Sequence, residues 1–109
     1  MNRKAKLIIV PKDRNAEFAL EYGWAIPEQM IELSLTNEEF EKLWLEGVFS
    51  LINRMSNSNI DDFEDEHITN LDSIYNLLNE LKKNSNSSDE INRMFELALS
   101  YGTSIHFYF

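Results

Sequence analysis

Residues 7–11 read Leu7-Ile8-Ile9-Val10-Pro11, with Lys6 before them and Lys12-Asp13-Arg14 after. A continuous apolar run bounded by charge and proline is the pattern of a strand covered on both faces, and it places the N-terminal segment centrally in a sheet. The far end of the chain reads the same way. Thr103 to Phe109 alternates Ile105, Phe107 and Phe109 with Ser104, His106 and Tyr108, which predicts a terminal strand after a helix closed by Gly102. Strands at both ends set the fold class, and the segments between them fill in the helices.

After the first strand, Phe18, Leu20, Tyr22, Trp24 and Ile26 alternate with Ala19, Glu21, Gly23 and Ala25, which predicts a second strand over 18–26. A helix competes over residues 15–26, because Ala16, Ala19, Leu20 and Gly23 also share a helical face and Gly23 suits a C-cap. Pro27 makes a turn and holds Ile26 extended. Met30 to Leu35 alternates again, as a half-covered strand does. Thr36-Asn37-Glu38-Glu39 then fits a capping box, in which the Thr36 and Glu39 side chains each satisfy a free backbone donor of the first turn.

Phe40, Leu43, Trp44, Val48, Leu51, Ile52 and Met55 form one apolar helical stripe, on which Gly47 allows close packing, a kink or a break into two helices. Asn70 offers a cap for a helix carrying Ile74, Tyr75, Leu78 and Leu81. Ser87-Ser88-Asp89-Glu90 reads as a second capping box ahead of Ile91, Met94, Phe95, Ala98 and Leu99. The expected architecture is a single α+β domain over residues 1–109: a small, mainly antiparallel sheet of about four strands, including the terminal ones, with helices packed on one face. Strands and helices are grouped and no glycine-rich turn joins one to the other, which argues against a doubly wound α/β fold.

The segment Ile60-Asp61-Asp62-Phe63-Glu64-Asp65-Glu66-His67-Ile68 carries the densest charge. Ile60, Phe63, His67, Ile68 and Leu71 return to one side of a helix, so it reads as a helix presenting Asp61, Asp62, Glu64, Asp65 and Glu66 on its solvent side. Three readings stay open for these carboxylates: a solvated acidic face, a partner-binding patch, and a metal site in which Asp61 and Asp65, or Asp62 and Glu66, lie one turn apart. An EF-hand loop does not fit, since its sixth and twelfth positions counted from Asp61 are Glu66 and Asp72 in place of glycine and glutamate. His67 reads as a semi-buried histidine bonded to a carboxylate, and His106 lies opposite the Ile105 face of the last strand.

Charge and composition narrow the function classes. The 109 residues include 19 acidic and 10 basic ones, a formal net charge of -9, and 43% are hydrophobic. A chain of this length buries roughly two thirds of its unfolded surface and folds alone. The first fourteen residues hold Arg3, Lys4, Lys6, Lys12 and Arg14 against Asp13, so the remaining body is more acidic than the total implies. Such a body repels nucleic-acid phosphates and anionic lipid, leaving a basic protein as the expected partner. Leu7 to Val10 is too short for a secretory signal or a membrane span. With no cysteine, a reducing compartment is permitted and the cytoplasm is the expected location. No Cys-His pair, Gly-x-Ser-x-Gly element, Walker loop or GxGxxG is present, so the expectation is a binding protein with no catalytic residue, no cofactor and no metal. Tyr22, Trp24 and the aromatic C-terminus serve the core or, where exposed, anchor an interface.

A short, acidic, cysteine-free domain with a strand start, the helix entry Ser34-Leu35-Thr36-Asn37-Glu38-Glu39-Phe40-Glu41-Lys42-Leu43, the acidic segment 60–66 and an aromatic terminal strand resembles the small immunity proteins of bacterial polymorphic toxin and contact-dependent growth inhibition systems. The resemblance implies a cytoplasmic protein that binds one cognate toxin domain, often a nuclease, and blocks it. Asp61, Asp62, Glu64, Asp65 and Glu66 are the expected contacts to lysine or arginine of that basic partner. The alternatives are a regulatory module binding another basic host or phage protein, and a metal-dependent enzyme built on the carboxylates and His67.

Overall fold

The computed structural model describes residues 6–60 and 65–109. Four strands, β1 (Lys6–Pro11), β2 (Met30–Leu35), β3 (Asp65–Ile68) and β4 (Ile105–Tyr108), form one sheet in the order β2-β1-β4-β3, with every neighbouring pair antiparallel. The two terminal strands lie side by side at its centre. Five helices accompany them: α1 (Arg14–Glu21), α2 (Asn37–Leu45), α3 (Val48–Ser56), α4 (Leu71–Lys83) and α5 (Asp89–Tyr101). The fold is α+β.

The period of two along each strand sorts side chains between two unequal faces. Ile8 and Val10 of β1, Ile105 and Phe107 of β4, and Ile68 of β3 enter the main core with Phe49, Ile52, Ile74, Leu77, Leu81, Ile91 and Phe95 from α3, α4 and α5. All of these are buried, and at about 25 cal/mol per Å² their apolar area is the main favourable term holding the sheet and helices together. Lys6 is buried at the same edge with its Nζ 4.7 Å from the centre of the Phe40 ring, a cation–π contact. The opposite face carries Ile9, His106 and His67, and α1 lies over it through Ala16 and Ala19, both buried. Helices α2 to α5 thus cover one face as expected, and the short α1 adds a partial layer on the other.

Local signals account for most helix ends. Thr36 and Glu39 make the expected capping box: the Glu39 N–H donates to Thr36 Oγ1 at 3.0 Å and the Thr36 N–H to Glu39 Oε1 at 2.8 Å. Gly47, at φ +83°, resolves the choice left open along the stripe by breaking it into α2 and α3. Asn70 caps α4 and Gly102 ends α5. The cap of α5 sits one residue later than expected. Ser88 Oγ accepts from the Ile91 N–H, and Ser87 instead donates to Asn92.

Two expectations are corrected. Residues 18–26 are not a strand: Arg14–Glu21 is helical, and the segment from Tyr22 to Ile26 is a turn and loop. The Asp13 carboxylate accepts from the Ala16 N–H at 2.7 Å and starts the helix, while Ala16 and Ala19, small and one turn apart, let it approach the sheet closely. The apparent alternation arose from aromatics that face solvent, not from an inside and an outside. The second correction is the helix over 60–68. Asp65–Ile68 is a strand whose partner is β4, pairing Asp65 with Tyr108, Glu66 with Phe107, His67 with His106 and Ile68 with Ile105. A four-residue edge strand draws its backbone bonds from a distant segment, which local periodicity does not report. Residues 61–64 lie outside the described residues.

Candidate functional site

The surface over α1 carries a cluster of three exposed aromatic residues. Phe18 (54% exposed), Tyr22 (60%) and Trp24 (63%) touch one another, with ring centroids 4.5 Å apart for Phe18–Tyr22, 5.8 Å for Tyr22–Trp24 and 6.1 Å for Phe18–Trp24. Ile26 is exposed two residues further on. The backbone builds this arrangement. Gly23, at φ +81°, ends α1 in the left-handed region; its N–H donates to the Leu20 carbonyl at 3.3 Å and the Trp24 N–H to the Ala19 carbonyl at 2.9 Å. That pair of bonds is the Schellman closure, and it folds Trp24 back over the helix end onto Phe18 and Tyr22. Three large rings held against each other in water are costly to a lone monomer, and their apolar area suits an interface.

Beside the cluster runs an open groove of about 690 Å³ between α1 and the β3–β4 edge, lined by Arg14, Glu17, Phe18, Leu20, Glu21, His67, Thr69, His106 and Tyr108. His106 is nearly buried. Its Nε2 shares a hydrogen bond of 2.8 Å with Ser104 Oγ, and its ring lies 5.6 Å from that of His67 and 6.3 Å from that of Tyr108. Burial, reinforced by the neighbouring His67, pushes the His106 pKa down to about 4, while the Glu17 carboxylate works weakly in the other direction; the imidazole is therefore uncharged at neutral pH. Burial, with a contribution from Asp65, raises the Tyr108 pKa above the ordinary phenol value. Ser104 is fully buried, so its bond to His106 satisfies an interior imidazole and does not present a nucleophile to the groove.

The residues expected at the site are placed as follows. Asp61, Asp62 and Glu64 lie outside the described residues. Asp65 is exposed on the outer strand, on the same face as His67 and across from Tyr108. Glu66 is half-buried, and its carboxylate accepts from the Asn59 N–H at 2.8 Å and the His67 N–H at 3.0 Å, so it helps anchor the segment before β3. His67 is exposed and stacked on His106, not semi-buried against a carboxylate. Among the described residues, no group of three or more His, Asp or Glu side chains is arranged to hold a metal ion. Sequence reasoning missed the aromatic cluster as an exposed feature and Glu17 as a groove residue. Asp13 and Gly23, ten residues apart and bracketing Ala16 and Ala19, were the signals for a short helix that would have exposed both.

A second hollow, of about 380 Å³, lies between α2 and the α4–α5 loop and is lined mostly by Glu39, Lys42, Glu46, Ser85, Asn86 and Glu90. No helix among the described residues is long and apolar enough to cross a membrane. No protein-family model, curated protein or solved structure matches the chain.

Proposed function

We propose that this chain is a cytoplasmic immunity-type protein that binds a cognate basic toxin domain, of the nuclease kind, and neutralises it. The observation that carries this reading is the exposed Phe18–Tyr22–Trp24 cluster, brought together by the α1 closure on a chain of net charge -9. Aromatic anchors of this type supply most of the energy in protein interfaces, because they bury large area with few rotamers to freeze. The surrounding carboxylates supply specificity and speed: Glu21 and Glu28 are exposed near the cluster in sequence, and Glu32 and Asp65 are exposed on the two outer strands. A nuclease must be basic to hold phosphates, so an acidic inhibitor is steered to it and competes with its substrate.

The binding surface in this reading combines the aromatic cluster as its centre with the exposed Asp65 as charged rim. Asp61, Asp62 and Glu64 are proposed as further contacts from the sequence alone, while Glu66, half-buried and bonded to the Asn59 and His67 N–H groups, serves the strand more than the partner. Rim charges act mainly on association rate, so losing them weakens binding less than losing the anchors. The test is protection. Cells expressing a toxin domain encoded beside this gene survive when the intact chain is co-expressed and die when it carries Tyr22→Ala with Trp24→Ala, provided circular dichroism shows the variant folded. Failure of the intact chain to protect against that neighbour, or full protection by the folded variant, contradicts the proposal.

A further inference from the structure

His67 on β3 and His106 and Tyr108 on β4 form a shelf of three neighbouring rings along the groove, His67 exposed, Tyr108 half-buried and His106 nearly buried between them. The planes of His67 and His106 differ by 27° and those of His106 and Tyr108 by 7°. The helix α1 stands over this shelf and brings Glu17, Glu21, Arg14 and Phe18 to the groove, while Asp65 lies on the same side of β3. The geometry points to this groove as a receptor for an arginine side chain of the basic partner, its guanidinium lying against the exposed His67 end of the shelf and its N–H fork turned to the Glu17 carboxylate. The assignment rests on the partner being basic.

Guanidinium fits for three reasons. It is planar, weakly hydrated and stacks on aromatic faces, which a compact ammonium does not do as well. It also pairs with a carboxylate through two parallel bonds. At Glu17, Oε1 accepts from Arg14 Nη1 at 2.7 Å, while Oε2 is shielded from solvent with no hydrogen-bond partner among the described residues. Arg14 is mostly exposed, so its pair with Glu17 is weak and can open, and the terminal carboxylate torsion of glutamate rotates over a broad range. The nearly buried His106, uncharged at neutral pH, adds no charge of its own to the shelf. A nucleotide would stack on the same rings, but its phosphates would meet Glu17, Glu21 and Asp65, and Oε2 would stay unpaired.

The experiment is an NMR titration of the intact chain at pH 7, following the imidazole protons of His67 and His106 with ethylguanidinium, n-butylammonium and adenosine added separately. Ethylguanidinium is expected to move both histidines saturably in the millimolar range, with n-butylammonium several-fold weaker and adenosine producing no saturation. Glu17→Gln should weaken ethylguanidinium about tenfold, the loss of one hydrogen bond to a charged group. His67→Ala, at an exposed position that folding tolerates, should weaken it about threefold through lost stacking. Absence of a saturable shift, equal or tighter binding of adenosine, or unchanged binding in both folded variants would overturn the assignment. Because the probe is a free guanidinium, a failed titration leaves partner binding through the aromatic cluster intact, whereas a failed protection assay beside a successful titration faults the toxin reading and not the groove.

Discussion

The imidazoles of His67 and His106 stack across the β3–β4 pair, their ring centroids 5.6 Å apart, because the register sets the two residues directly opposite each other. The strand that carries His67 is the one local periodicity did not reveal, and this pairing gives the edge of the sheet its chemical character.

His106 makes stability pH-dependent. Its pKa is about 4 in the folded protein against 6.5 when unfolded, so the unfolded state binds the extra proton between those values. The contribution is therefore fully present above pH 6.5 and is lost as pH falls towards 4. Urea unfolding should give a protein on the order of 1–2 kcal/mol less stable at pH 5 than at pH 7 from this group alone. His106→Gln should lower stability at pH 7 and flatten that difference; an equal pH dependence in the variant would contradict the assignment.

Gly23→Ala should cost about 1 kcal/mol, since Gly23 sits at φ +81° and a Cβ there meets nothing within 4 Å, so the penalty is backbone conformation alone. Gly23→Asn should cost less, because asparagine tolerates the left-handed region. Thermal unfolding measures both, and Trp24 fluorescence should shift in the alanine variant as the closure over Phe18 loosens. Equal melting of all three proteins would show that the turn does not hold the cluster.

Asn53 fixes the start of the acidic segment. Its Oδ1 accepts from the Ile60 N–H at 2.7 Å and its Nδ2 donates to the Ile60 carbonyl at 3.0 Å, while Ile60 itself is buried in the core. Asn53→Ala leaves both backbone groups without these partners and should cost about 1–3 kcal/mol. Asn53→Asp keeps the acceptor and loses the donor, and should fall between. Hydrogen exchange at the Ile60 amide reads the same loss locally.

The acidic segment should act on association more than on stability. Replacing Asp61, Asp62, Glu64, Asp65 and Glu66 by their amides should slow association with the proposed basic partner and reduce its salt dependence, by surface plasmon resonance at two ionic strengths. Glu66 is the member expected to cost some stability, through its bonds to Asn59 and His67. Unchanged association and salt dependence would remove the segment from the interface.

What was legible in the sequence was local. Leu7 to Val10, Met30 to Leu35 and the terminal strand declared themselves through apolar continuity or alternation, and Thr36–Glu39 through a cap completed within one turn. Asp65–Ile68 did not, because its pairing comes from β4 on the far side of α4 and α5. Along α1 the two signals conflicted. Ala16 and Ala19 marked the buried side, but Phe18, Tyr22 and Trp24 alternated like a strand because exposed aromatics carry the same apolar weight in a pattern as buried ones. The candidate site was half legible for the same reason: its carboxylates are visible in any reading, while an exposed aromatic looks like core until the backbone is placed.

The most direct measurement is calorimetric titration of the partner that the proposed function calls for, a basic domain encoded beside the gene, with the intact chain and with the Tyr22→Ala, Trp24→Ala variant. The account predicts tight binding by the intact chain and an affinity at least about a hundredfold weaker for the folded variant, as loss of two interface anchors implies. Equal affinity of the two proteins would contradict it.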